Sequence, residues 1–296
     1  MKSISRRQFV TLATAAPFAP TLLQSRAPTA QEIVDRIRNK IGGEWKADTV
    51  DTFKAGDPAT PVKGIATTAM ASMEVLKQAV KGGANFIITC EPTFYSKGDS
   101  SAPGGARRGG PTTPDAVFTA KNDFIKNNNL VIWRFSDHWR LRKPDPLAVG
   151  LAETLGWSKF TVAADPALAT IPAVTLGALV SDLKKKLNAR GGVRVVGDPQ
   201  LKVQKIGLLP GTTPIQAALK LLPSVDALIA GEVREWESVE YARDKVSAGE
   251  KKSLILLGRV VSEDPGMKLC AQWVKSVVPE LTTTWISVGD PYWRPL

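Results

Sequence analysis

The chain of 296 residues has one histidine, His138, and two cysteines, Cys90 and Cys270. So few soft or imidazole ligands exclude zinc-finger spacing and a CxxC redox motif. Any metal or acid–base chemistry must be assembled from other side chains. Long apolar runs are also missing. The one weakly apolar stretch, near the N terminus, is short and broken by Pro17 and Pro20, so it cannot span a bilayer as a helix. Acids are outnumbered, 28 against 39 Lys and Arg, giving a formal charge of +11. The basic residues are scattered, and their one notable run, Lys184-Lys185-Lys186, reads as a solvated helix face. No nucleic-acid motif accompanies the charge, which therefore points to solubility and to anionic ligands.

The first 27 residues hold Lys2, Arg6, Arg7 and Arg26 and no acid, so without these four charges the formal balance is +7. "SRRQF" followed by small residues reads as a twin-arginine (Tat) export signal, with Ser25-Arg26-Ala27 at the cleavage spacing. The sequence thus predicts a periplasmic or otherwise extracytoplasmic protein exported after folding. Such a protein has no need to join its two cysteines as a disulfide.

Beyond residue 27 the apolar spacing predicts a helix over 30–41. "VKGIATTAM", "SMEVLKQAVKGG" and "ANFIITCEP" then read as strand, helix and strand, a parallel βαβ unit. Residues 96–114 are a Gly/Pro/Ser loop without apolar period. A helix over 114–128, a strand "LVIWRFSDHW" and a helix over 147–155 follow. The second half repeats the plan with "VQKIGLLPG", "TPIQAALKLLP", "VDALIAGEVREW" and "KSLILLGRVVSED", then the helix "GMKLCAQWVKSVVP". Glu91 and Glu232 close comparable strands, which predicts two related α/β domains, 28–165 and 166–296, with mixed, largely parallel sheets. Trp133, Trp139, Trp157 and Trp236 read as core or interface anchors. "LPGTTP" reads as a strand-to-helix turn that offers an anion site.

Ligands of α/β sheets gather at the carboxyl ends of parallel strands. Cys90-Glu91, Ser136-Asp137-His138, Glu232 and Arg259…Glu263 all fall at such ends. These motifs, with "LAETLGW" and "VDALIAGEVREWESVEYARD", give a family likeness over nearly the whole region after residue 27. The chain resembles the Nif-three-like dinuclear metal centre proteins, the GTP cyclohydrolase I type 2-like group. The resemblance implies two α/β domains with a metal cleft between them, assembled as a hexameric homo-oligomer, and metal-assisted hydrolysis as the compatible chemistry.

It also implies a metal set that this chain has largely replaced. The family's His-His or His-Glu pair falls on Cys90 and Glu91, and its strand histidine on Ser136. The ligand four residues on falls on Arg140, the Gly-His ligand on Arg259, and the closing glutamate is kept as Glu263. On an alternating strand, residues 136, 138 and 140 would share a face, bringing His138 within reach. Four readings stay open. One divalent ion, zinc or manganese, is held by Glu91 and Glu263 with Cys90 or His138. Alternatively there is no cofactor, Arg140 and Arg259 supply the missing positive charge, and the cleft binds a small anionic ligand. In a third reading Cys90 is a nucleophile served by His138. In the last, Glu91 and Glu232 are helix N-cap or loop acceptors without a ligand.

Overall fold

The computed structural model describes residues 26–96, 99, 115–162 and 165–293. The expected export signal, but for residues 26 and 27, and most of the expected loop at 96–114 lie outside the described residues.

The first helix, α1 (Ala30–Ile41), has the predicted bounds. Thr29 and Glu32 form a reciprocal capping box, and Ile33, Val34 and Ile37 are buried along one face. The chain continues through β1 (Phe53–Ala55), β2 (Ile65–Thr68), α2 (Met73–Lys81) and β3 (Phe86–Thr89). Next come α3 (Ala116–Asn127), β4 (Val131–Arg134), α4 (Asp137–Leu141) and α5 (Pro146–Thr154). The second half comprises β5 (Thr161–Val162), β6 (Asp165–Thr175), α6 (Leu176–Lys186), β7 (Arg194–Val196) and β8 (Lys202–Thr212). It goes on with α7 (Ile215–Leu221), β9 (Ala227–Glu232), α8 (Glu240–Ser247), β10 (Ser253–Leu256), α9 (Arg259–Val277) and β11 (Thr283–Trp285).

Two mixed sheets result, ordered β1-β4-β3-β2-β11 and β5-β6-β8-β9-β10-β7. In the first, β4, β3, β2 and β11 are parallel; in the second, β8, β9 and β10 are. β2, β3, β4 and β10 are buried along their whole length. Helices cover both faces of such strands, which is why "FIIT" and "SLIL" read as unbroken apolar runs. β3 and β9 occupy matching central places, so Glu91 and Glu232 follow equivalent strands. This is the α/β, two-sheet architecture that the sequence predicts.

Two boundaries differ from expectation, each because a helix starts where the sequence reads as strand. The strand predicted through 139 stops at Arg134, because the Asp51 carboxylate collects the next free amides. Its Oδ1 accepts from Ser136 N (2.6 Å) and Asp137 N (3.0 Å), and its Oδ2 from His138 N (2.8 Å). That capping starts α4, so residues 136, 138 and 140 do not alternate on a strand. The strand predicted through 264 ends at Leu256, and Gly258 at φ +88° turns the chain into α9. Arg259 to Glu263 therefore lie on the first turns of a helix.

The division expected at 165/166 also differs from the sheet membership. β5 already pairs with β6, and β11 crosses back to pair with β2. Helix α9 packs against β2 of one sheet, β8 and β9 of the other, and α5. The α5–α9 approach is close: a Cβ on Gly150 would lie 2.6 Å from the Pro265 carbonyl oxygen. Trp133, Trp139 and Trp157 are buried as expected, but Trp236 is 74% exposed. Among the described residues no helix is long and apolar enough to cross a membrane.

Candidate functional site

The loop after β3 carries Cys90 and Glu91, and the first turns of α9 carry Arg259 and Glu263. They meet where the two sheets face each other across α9. Cys90, Glu91 and Glu263 are buried, and one ligand atom of each lies within 4.8 Å of the other two. Ser136, at the start of α4, brings its Oγ to 3.6 Å from Cys90 Sγ. One turn on, Arg140 reaches in, with Nη1 3.5 Å from Glu263 Oε1 and Nη2 donating to the Pro210 carbonyl at 3.0 Å.

Arg259 is the hub. Its Nη2 lies 2.7 Å from Glu91 Oε2, its Nη1 3.9 Å from Glu232 Oε2, and its Nε 4.0 Å from Glu263 Oε1. These contacts satisfy charge better than hydrogen-bond geometry. Glu91 Oε2, Arg259 Nε and Glu263 Oε2 are all buried without an aligned hydrogen-bond partner. Gly211 makes room for the cluster. At φ +79° a Cβ there would lie 2.3 Å from Glu263 Oε1 and 2.6 Å from Arg140 Nη1. Ser262 fixes this turn by accepting from Gly211 N at 2.9 Å.

Burial, then the neighbouring Glu91, holds the Glu263 carboxyl well above the ordinary 4.5, although Arg140 and Arg259 act against this. Burial likewise pushes the Cys90 thiol up, helped by the two glutamates. For Arg259, burial lowers the pKa, but Glu91, Glu263 and Glu232 outweigh it and the net direction is upward. A carboxyl with a raised folded-state pKa contributes stability below its unfolded value, and that contribution is lost as pH rises through the folded pKa. Glu263→Gln fixes the neutral form. The stability of the variant relative to wild type should therefore grow as pH rises above 4.5. Urea unfolding at several pH values checks this; a constant difference would contradict the proton on Glu263.

Of the residues singled out from sequence, Cys90, Glu91, Ser136, Arg140, Glu232, Arg259 and Glu263 come together. Asp137 and His138 do not. Asp137 Oδ2 accepts from Thr49 Oγ1 and Val50 N. His138 Nε2 accepts from Lys46 N at 3.0 Å, and its Nδ1 donates to Asp51 Oδ2 at 2.8 Å. Its ring also stacks on Trp45 with centroids 3.6 Å apart. His138 thus secures the 45–51 segment and is neither a metal ligand nor a base for Cys90. The reading of Cys90 as a His138-served nucleophile falls with it. Nothing local in the sequence marks Asp51 or Gly211, since each acts through a contact about 50 or more residues away.

The donor set does not fit a dinuclear centre. Three ligand atoms are too few for two ions. One carboxylate oxygen, Glu91 Oε2, is already met by the Arg259 guanidinium, and burial favours the protonated thiol. Cys90, Glu91 and Glu263 still bring three ligand atoms together for one ion, which would have to displace Arg259 from Glu91.

A two-sheet α/β protein with a buried acid–guanidinium cluster between its sheets is the class that fold and site define. No family model matches the chain, and no curated protein matches it in sequence. Solved structures do. The Bacillus cereus protein related to NIF3 superposes with a TM-score of 0.69 at 15% identity, covering 92% of this chain and 100% of its own. The Staphylococcus aureus hypothetical protein SA1388 gives 0.67 at 14% identity, covering 90% and 99%. Reduced HcgD from Methanocaldococcus jannaschii gives 0.59 at 16% identity, covering 87% and 97%. The chain has the NIF3-like fold.

Proposed function

We propose that this is a divergent Nif-three-like protein that binds a small anionic ligand without a resident metal. In this reading Arg140 and Arg259 supply the positive charge that metal ions supply in the family. The observation that supports it is the 2.7 Å contact of Arg259 with Glu91, beside Arg140 on Glu263. Two guanidinium groups among three carboxylates leave a buried site near neutrality, which a bare carboxylate cluster could not sustain. In the same reading the protein is exported through its twin-arginine segment and assembles with copies of itself, a hexamer being what the resemblance implies.

Elemental analysis of protein purified without affinity tag or chelator tests the proposal. It is run beside a variant carrying Cys90→His, Ser136→His, Arg140→His and Arg259→His, four positions that converge in the cluster. Wild type should carry far less than one ion per chain, and the variant about one or more. About one ion per wild-type chain would overturn the proposal. It would favour a second reading that the convergence of Cys90, Glu91 and Glu263 supports: one zinc or manganese ion on these three residues, serving hydrolysis.

A further inference from the structure

A cavity of about 410 Å³ adjoins the cluster on the far side of Arg140. Its volume is in the range of small-ligand sites, roughly 300–1,000 Å³. One wall comes from α4, which supplies Arg140, and from the connection to α5, which supplies Lys143 and Asp145. Opposite stand Asp165 at the start of β6 and Thr212 and Thr213 at the end of β8. The floor between them is apolar, its surface coming from Ala167, Leu209 and Ala217, which are partly exposed.

The charges in this lining are matched in number and opposite in sign. Each acid is oriented by one oxygen: Asp145 Oδ1 accepts from Leu147 N (2.9 Å), and Asp165 Oδ1 from Ala167 N (3.1 Å). The second oxygen of each has no protein hydrogen bond among the described residues. Arg140 is held by Glu263 and the Pro210 carbonyl, whereas Lys143 is exposed and unpaired among the described residues. A multiply charged phosphate would meet two carboxylates here, and a simple amine two cations. A neutral apolar molecule would leave four charged groups poorly hydrated. Only a ligand that carries both charges complements the lining.

We propose that this cavity binds a small zwitterion of the α-amino acid class, its carboxylate toward Arg140 and Lys143 and its ammonium toward Asp145 and Asp165. The apolar floor receives a side chain, and the Thr212 hydroxyl adds a hydrogen bond. This goes beyond the anion-binding reading above: it concerns a second ligand in the adjoining cavity, and the two sites share only Arg140. Burial pushes the Asp145 carboxyl above its usual range although the Leu147 amide, Arg140 and Lys143 act against this, and a bound ammonium would add to their effect.

The test is thermal unfolding of the full chain against a panel of free L-amino acids, their N-acetyl and carboxamide derivatives, and inorganic phosphate. At about a hundredfold excess over Kd, a member of the panel should raise the midpoint by about 5–10 °C. The rise should vanish on blocking either end of the same amino acid. It should also vanish in Lys143→Ala and in Asp145→Asn, which keeps the helix cap. Stabilisation by N-acetyl derivatives or by phosphate to the same extent would overturn the zwitterion. So would no shift with any panel member. Neither variant touches the Arg259–Glu91 pair, so elemental analysis and this titration fail independently.

Discussion

Arg259→Ala is expected to destabilise the protein by about 2–4 kcal/mol. Removing one partner of a buried ion pair costs about 3–5 kcal/mol, and a guanidinium one-third exposed retains somewhat less. The loss arises on the other side of the pair. Glu91 is 2% exposed and would be left with no cation against it, while Glu263 would depend on Arg140 alone. Arg259→Lys should recover only part of the loss. Arg259 addresses three carboxylates with three different nitrogens, and a lysine has one. Adding Glu91→Gln to Arg259→Ala should recover most of it, because the uncompensated charge is then gone. A double-mutant cycle by urea unfolding reads these values. A single-variant loss below about 0.5 kcal/mol would mean that the pair carries no net stabilisation, and that charge replacement is the wrong account of these arginines.

Asp51→Ala should cost more, about 4 kcal/mol or above. Its carboxylate accepts from the amides of residues 136 to 138 and from the His138 ring, all in a buried setting. Hydrogen bonds to a charged group contribute about 1.5–3 kcal/mol each, and the four donors would lose their common acceptor together. Asp51→Asn keeps one carbonyl oxygen and should cost about half. The two variants should differ locally as well, with amide exchange at 136–138 accelerated far more in the alanine variant. Equal exchange in both would show that α4 does not depend on this carboxylate.

Most of the site was legible because its residues fall at strand ends, where an α/β sheet presents its loops. Cys90-Glu91, Glu232 and Arg259…Glu263 needed only the strand pattern and the family likeness. His138 and Asp137 were misplaced because "FSDHW" has the β-branched and aromatic neighbours of a strand, while the residue that ends the strand is 85 positions earlier. No local pattern reports an amide captured by so distant a carboxylate. "RVVSED" deceived in the same way: apolar, β-branched residues sit on the buried face of α9, where tertiary packing overrides their preference. β11 was invisible because three residues, "TTW", carry no period.

That short last strand has a practical side. The polypeptide begins and ends its folded part in the same layer, so the second half is an insertion flanked by pieces of the first. Splitting the gene between residues 165 and 166 would not yield two separable modules. The N-terminal fragment would present the bare edge of β2, an open template for sticking to other chains. The C-terminal fragment would trail an unpaired strand. Any tag, truncation or fusion placed after residue 282 consequently acts on the sheet that holds Cys90 and Glu91, although it is nearly two hundred residues away from them in sequence.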